Sequence, residues 1–319
     1  MTTLFLVVWA VLGANGADGA EDQLKFLAAT QEQTQVAYSR LSYDANVINT
    51  SFIPNLKSSL PVTSRYVVRV HGDTVLNTWE CLTTLKEDEG NDGKPSITVS
   101  DQPRVKRVLK TPTYIAVWRD VANPTIMLYY LEDWRDSLRD YNTTFDSTFS
   151  LVDINRLCFG HSTPFVSLYR NQGFSARWDV LAFEAGERIQ VQRSLPVKEA
   201  VYSPDLMLDM NPMDGLVRNG TFKPVAAKLG AEVNVEYVEA SIGGRSLHVP
   251  STYNYDKASE REELKSNIAI TFTNFVDEAD KPELTLSDLG VPVGAALRKM
   301  YPDGRQKTAK WDGLQLTFH

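Results

Sequence analysis

Few residues in this chain could carry chemistry, and they are scattered. Gly160-His161-Ser162 has the opening of a nucleophile elbow, G-x-S-x-G, in which a tight strand-to-helix turn presents a serine for acyl transfer. Here the final glycine position holds Pro164, and the run that follows reads as a strand, so Ser162 is not assigned as a nucleophile. The histidines His71, His161, His248 and His319 are the candidates for neutral-pH proton transfer or metal ligation. Only His161 has a cysteine at short spacing, Cys158, and the further ligands of a zinc site are missing around it. The acidic, glycine-rich stretch from Asp88 to Gly93 imitates a calcium loop. Setting Gly93 at the invariant glycine puts Gly90 and Val99 at ligand positions, where neither offers a side-chain oxygen. No phosphate-cradling glycine loop or dinucleotide fingerprint occurs. The expectation is no catalytic residue, no metal and no cofactor. A hydrolase site assembled from distant residues is the enzymatic alternative.

The remaining reactive groups point to covalent modification. Cys81 and Cys158 form an even pair and predict one disulfide, closing a loop of about eighty residues and stabilising by about 4 kcal/mol in the chain-entropy view. Asn49, Asn142 and Asn219 each open an N-x-S/T sequon with no central proline, and each lies beside polar or turn-forming residues where a glycan stays in solvent. Arg104-Val105-Lys106-Arg107 fits the R-x-K-R pattern of proprotein processing, with cleavage after Arg107. It also reads as a strand alternating basic and apolar residues, and that reading is preferred because a cut there would sever a sheet.

These modifications suit an exported protein, and the start of the chain agrees. Leu4 to Leu12 is an unbroken apolar run, too short to span a bilayer but suited to the core of a signal peptide. Ala14-Asn15-Gly16 follows with small residues, which places cleavage after Gly16 or a few residues later. Met1-Thr2-Thr3 departs from the usual layout in carrying no basic residue. No later stretch is long and apolar enough to be a transmembrane segment. The 43% hydrophobic and 23% charged content is that of a globular chain, and a net charge of −7 argues against nucleic acid as a partner.

The elements that must position any site are mostly strands. Residues 17–60 are expected to be partly helical, with a helix from Glu21 to Tyr38. From residue 61 to 195 the pattern switches to period two, with short runs such as Arg65–Val70, Val105–Leu109 and Tyr114–Trp118 separated by turn residues. Two extended runs, from Thr111 and from Thr163, share an aromatic-Arg-Asx ending, which is read as similar hairpin chemistry and not as a repeat. The proline-rich stretch 196–224 is expected to be a linker or long surface loop. Residues 225–319 read as a second β-rich region with two short helices, one opening at Ser259 and one over Val293–Met300, and a last strand through Leu314, Leu316 and Phe318. The predicted fold class is mainly β, as sandwich or barrel-like antiparallel sheets with a few peripheral helices; α+β is the alternative.

Aromatic residues crowd the β region, among them Trp79, Tyr114, Trp118, Tyr129, Tyr130 and Trp134. They read first as a packed core with cross-strand pairs, and second as the wall of an apolar cavity. The G-x-W signature of lipocalin-type barrels is not matched, since Gly173 and Trp178 are too far apart. The functional expectation is a secreted glycoprotein that binds or carries an apolar small molecule or lipid. The alternative is an extracellular module that contacts a protein or glycan.

Overall fold

The computed structural model describes residues 17–53, 58–89, 95–100, 104–119, 125–134, 177–184, 188–194, 205–223, 230–258, 265–278 and 282–313. The expected leader at 1–16, Asn142, Cys158, His161, Ser162, the helix opening at Ser259, His319 and the last strand from Leu314 lie outside them. The chain is mainly β, as its alternation predicts. Helix α1 (Ala17–Tyr38) is followed by β1 (Leu41–Ile53), β2 (Ser58–His71), β3 (Thr74–Cys81), β4 (Thr84–Glu89), β5 (Pro95–Ser100), β6 (Arg104–Lys110), β7 (Tyr114–Arg119) and β8 (Thr125–Tyr130). Then come β9 (Arg177–Glu184), β10 (Arg188–Ser194), β11 (Asp205–Met210), β12 (Val217–Lys223), β13 (Gly230–Ile242), β14 (Arg245–Ala258), β15 (Ser266–Asp277), β16 (Ala296–Met300) and β17 (Gln306–Lys310). The chain divides into two compact units that interleave along the sequence. The first comprises Met1–Tyr38, Val152–Val238 and His248–Asn267; the second comprises Ser39–Leu151, Glu239–Leu247 and Ile268–His319.

In the first unit α1 lies on the strands from β9 to β12. Its buried residues Leu24, Leu27, Ala28, Gln31 and Tyr38 recur at steps of three, four and seven, which puts them on one face. Leu24, Leu27 and Ala28 pack on Ile189, Val191, Leu208, Met210 and Val217. Burying each leucine contributes about 2 kcal/mol. The strands alternate as a one-sided sheet should: in β13, Ala231, Val233 and Val235 are buried, while Glu232, Asn234 and Glu236 face solvent. The linker expected at 196–224 is corrected in its described part, because it holds β11 and β12, paired to each other in antiparallel register. Of the prolines that suggested a linker, Pro212 sits in the turn after β11, where a missing N–H breaks no ladder.

The second unit strings β17-β16-β8-β7-β6-β3-β2-β1-β15 in hydrogen-bonded order. The registered pairs are antiparallel except β16 with β8, which is parallel. Strand β7 buries four consecutive residues, Ile115 to Trp118, so both of its faces are covered. The helix expected over Val293–Met300 is a turn leading into strand β16. Ala296, Leu297, Arg298 and Met300 favour a helix in isolation, but pairing with β8 on one side and β17 on the other overrides that preference. The described helical turn nearby is a 3₁₀ turn at Leu286–Leu289. In β15 the buried alternation of Ile270 and Phe272 shifts by one residue at Asn274, which takes a left-handed φ of 57°. The shift brings both Phe272 and Phe275 against Tyr43, each with ring centroids 6.0 Å away.

Candidate functional site

The second unit buries apolar residues on two sheet faces. On the first face Leu109, Ala116, Trp118 and Leu128 pack against Leu289, Val291, Ala295 and Trp311 of the C-terminal segment. The other face is defined by register. One row crosses β1, β2, β3, β6, β7 and β8 as Tyr43, Val68, Asn77, Val108, Val117 and Met127. The row on one side of it is Val70, Val75, Lys110, Ile115 and Tyr129. The row on the other side is Ala45, Tyr66, Trp79, Lys106, Arg119 and Thr125. Rows two residues apart share a face, so these three form one wall. From Ile115 to Arg119 it runs about 13 Å, and across the five strands from β2 to β8 about 19 Å.

The wall changes character along its length. Val108, Ile115, Val117 and Tyr129 form a buried cluster, with Trp134 and Met300 packed against it. Trp134 meets Tyr129 edge-on at 5.4 Å and donates its indole N–H to the Met300 carbonyl at 3.1 Å, which closes that end. At the opposite end Lys106 and Arg119 stand directly across from each other. Burial lowers the Lys106 pKa, and the charge of Arg119 lowers it further. Beside them, burial pushes the Tyr66 phenol up to about 12, with Cys81 adding to the effect.

The first unit holds a connected ionisable cluster. Asp214, in the turn between β11 and β12, accepts from Arg218 and from His248 Nδ1, each at 2.9 Å. Its other carboxylate oxygen accepts the Leu216 N–H at 2.9 Å. The Arg218 guanidinium lies 4.0 Å above the Tyr237 ring. Three side chains of α1 reach the same place: Thr34 donates to the Asp214 carbonyl at 2.7 Å, Gln31 to the Gly215 carbonyl at 3.1 Å and Tyr38 to the His248 carbonyl at 2.6 Å. Burial raises the Tyr38 phenol well above its ordinary value, with Tyr237 and Asp214 adding to it. A carboxylate orienting a histidine is half of a nucleophile-activating triad. Among the described residues, the His248 ring bonds to Asp214 alone and no hydroxyl or thiol completes the set. The cluster acts as a tie that pins α1 to the turn and to β14.

The residues singled out from sequence are dispersed. Cys81 carries a free, buried thiol that donates to the Thr83 carbonyl at 3.1 Å. Asn49 and Asn219 are exposed on β1 and β12, and the Asn219 side-chain oxygen accepts from Asn234 at 2.7 Å. Arg107 lies in a strand paired on both sides, donates to the Leu289 carbonyl at 2.6 Å and covers Trp118 at 4.9 Å. His71 ends β2, and no metal-binding group of three or more ligands occurs among the described residues. The aromatic residues divide between the two faces, Trp118 and Tyr130 on one and Tyr129 and Trp134 on the other. Sequence reasoning missed Asp214, Arg218 and the partnership of His248. It also missed the facing of Lys106 and Arg119, although the basic-apolar alternation of β6 already put Lys106 and Val108 on one side.

No protein-family model matches the chain, and no curated protein matches it. Solved structures are similar to it at low identity. A DUF1329 family protein from Desulfovibrio piger is 13% identical with a TM-score of 0.42, over 83% of this chain and 95% of that one. A LolA-superfamily protein from Nitrosomonas europaea is 9% identical with a TM-score of 0.33, over 82% and 97%. A putative outer membrane lipoprotein-sorting protein domain from Vibrio parahaemolyticus is 11% identical with a TM-score of 0.41, over 84% and 96%.

Proposed function

We propose that the chain is a secreted, non-enzymatic carrier of an apolar small molecule or lipid, which lies along the second apolar face of β2, β3, β6, β7 and β8. One observation carries this reading. These strands bury apolar residues on both sides, and the first side alone already seals against the C-terminal segment. Antiparallel sheets commonly keep one face polar, as β13 does in the first unit. The second face is mostly aliphatic and aromatic, with Lys110 in one outer row, Asn77 in the middle row and Lys106, Arg119 and Thr125 in the other outer row. Val108, Ile115 and Val117 in its middle are buried, while Lys110 and Arg119 at its two ends are exposed. Export rests on the leader at 1–16 and the sequons at Asn49, Asn142 and Asn219. Among the described residues, no helix is long and apolar enough to cross a membrane.

Native mass spectrometry of the protein collected from culture medium tests the proposal. The expected mass is that of the polypeptide from Ala17 plus glycans plus one small molecule that extracts into organic solvent. A mass accounted for by polypeptide and glycans, together with no uptake of added lipid, overturns it.

A further inference from the structure

We infer that strand β17 is a docking edge for an acidic, extended segment of a partner protein, which adds to the sheet as one more strand. This edge needs no bound lipid, so it stands or falls apart from the carrier reading.

The backbone of β17 is paired along one edge. It ladders with β16 on that side and ends the strand order on the other. Hydrogen bonds fix which residues point where. Tyr301 donates to the Arg305 carbonyl at 3.0 Å, and Trp311 donates to the Ala295 carbonyl at 2.9 Å. Inward-bonding residues alternate along an antiparallel strand, so Arg305, Lys307, Ala309 and Trp311 bond towards the β16 side. The N–H and C=O groups of Gln306, Thr308 and Lys310 therefore point away from β16, and no described strand meets them. All three residues are exposed. Such a row of backbone groups is a template for a further strand.

The side chains select which strand. From Ala296 to Lys310 the chain carries Arg298, Lys299, Arg305, Lys307 and Lys310 against Asp303 alone, although its net charge is −7. Lys299 pairs with Asp133 at 2.8 Å, and Arg305 pairs with Asp303. Arg298, Lys307 and Lys310 are exposed and make no ion pair among the described residues. Register puts Lys310 and Arg298, which stands opposite Thr308, on one face of the hairpin and Lys307 on the other. A flat anionic surface such as a bilayer meets one face. A paired strand projects side chains to both, so carboxylates opposite Lys307, Thr308 and Lys310 meet all three cations, the middle one reaching Arg298 across the short Thr308 side chain. An apolar residue fits opposite Ala309, which packs against the core of the first face. Lysines on an edge also keep a strand from pairing with its own copy. That repulsion disfavours a second β17 and leaves an acidic strand as the complement.

The test titrates the full chain with the fluorescein-labelled peptide Thr-Glu-Val-Glu-Glu-Val-Glu-Thr, which presents the required pattern in either chain direction. Two relatives are compared with it by fluorescence anisotropy. One has lysine at every glutamate. The other is N-methylated at every residue, which keeps the charge and removes the N–H donors. The acidic peptide is expected to bind roughly tenfold or more tighter than either. It should also slow amide exchange at Thr308 and Lys310, whose N–H groups point outward. The double variant Lys307→Glu with Lys310→Glu should prefer the lysine peptide, a reversal that a misfolded chain does not produce. Equal binding of the acidic and N-methylated peptides overturns the strand-docking proposal in favour of a plain electrostatic contact. Binding of phosphatidylserine vesicles without binding of the acidic peptide overturns it in favour of a lipid surface. Equal binding of the acidic and lysine peptides, or binding of neither, overturns it outright, and these comparisons need no variant to fold.

Discussion

Asn274 donates its side-chain amide to the buried carboxylate of Asp44 at 2.9 Å, across 230 residues of chain and from a left-handed backbone φ of 57°. The two features explain each other. A non-glycine residue in that region is strained, and such strain persists where surrounding contacts hold it. Asp44 supplies the contact, and Arg65 and Arg69 neutralise it from 3.4 and 3.3 Å. The bend at Asn274 sets Phe272 and Phe275 against Tyr43. Asn274→Ala should therefore destabilise by about 2 kcal/mol, losing the hydrogen bond while keeping the strain. Asn274→Gly should cost less, because glycine occupies the same backbone region without strain. Thermal unfolding of both variants checks the order; alanine no worse than glycine would show that the backbone at 274 is unstrained.

Asp44 also predicts an acid response. Burial alone would raise its pKa, but the Asn274 hydrogen bond, the charge and hydrogen bond of Arg69 and the hydrogen bond of Arg65 outweigh that and hold it below the ordinary carboxylate value. A carboxyl with a lowered pKa in the folded state contributes stability above its unfolded pKa of about 4, and that stability is lost as pH falls through the lower folded value. Asp44→Asn should therefore be less stable than the unaltered protein at neutral pH, and the gap should narrow below about pH 4. A gap in melting temperature that stays constant from neutral to acid pH would remove Asp44 from the acid response.

The same residues show what could be read in the sequence and what could not. Strand character in β6 and β7 was plain from local alternation, and Tyr114–Trp118 was recognisable as a strand without its neighbours. Helix α1 was legible for the same reason, since Leu24, Leu27 and Ala28 repeat at helical spacing. Asp44 with Asn274, and Asp214 with His248, were not legible, because pairing between distant residues depends on register and no local pattern encodes it. Strands β11 and β12 were hidden by their prolines, which mark the ends of strands as readily as they mark linkers. The facing of Lys106 and Arg119 lay between these cases: each strand was visible, and only the register joining them was missing.

The docking of α1 in the first unit depends on one glycine. Gly215 has a φ of +65°, and a Cβ built on it would lie 2.6 Å from the backbone nitrogen of Gln31 in the helix. Gly215→Ala thus adds left-handed strain to a backbone collision that no side-chain rotation relieves. It should destabilise the protein by about 3 kcal/mol. The same change should speed amide exchange along α1, because Gln31, Thr34 and Tyr38 make their hydrogen bonds into that turn and its neighbour on β14. Hydrogen exchange separates this effect from a general loss of stability. Protection lost equally across β6 and β7 would contradict a local undocking of the helix.

The R-x-K-R sequence ending at Arg107 gives the last prediction. A processing protease needs an extended, accessible segment, but this one is strand β6, hydrogen-bonded to β3 along one edge and to β7 along the other. Arg107 is further held by its bond to the Leu289 carbonyl and its contact with Trp118. Presenting the motif to a protease would require separating β6 from both neighbours and uncovering Leu109, Ala116 and Trp118, so cleavage should follow the unfolding equilibrium and not the motif. The folded protein should stay intact with a protease specific for R-x-K-R and be cut after Arg107 once thermally unfolded. Ready cleavage of the native protein at that bond, with β6 still protected in hydrogen exchange before the cut, would place the motif outside the sheet and contradict the register of β6 with β3 and β7.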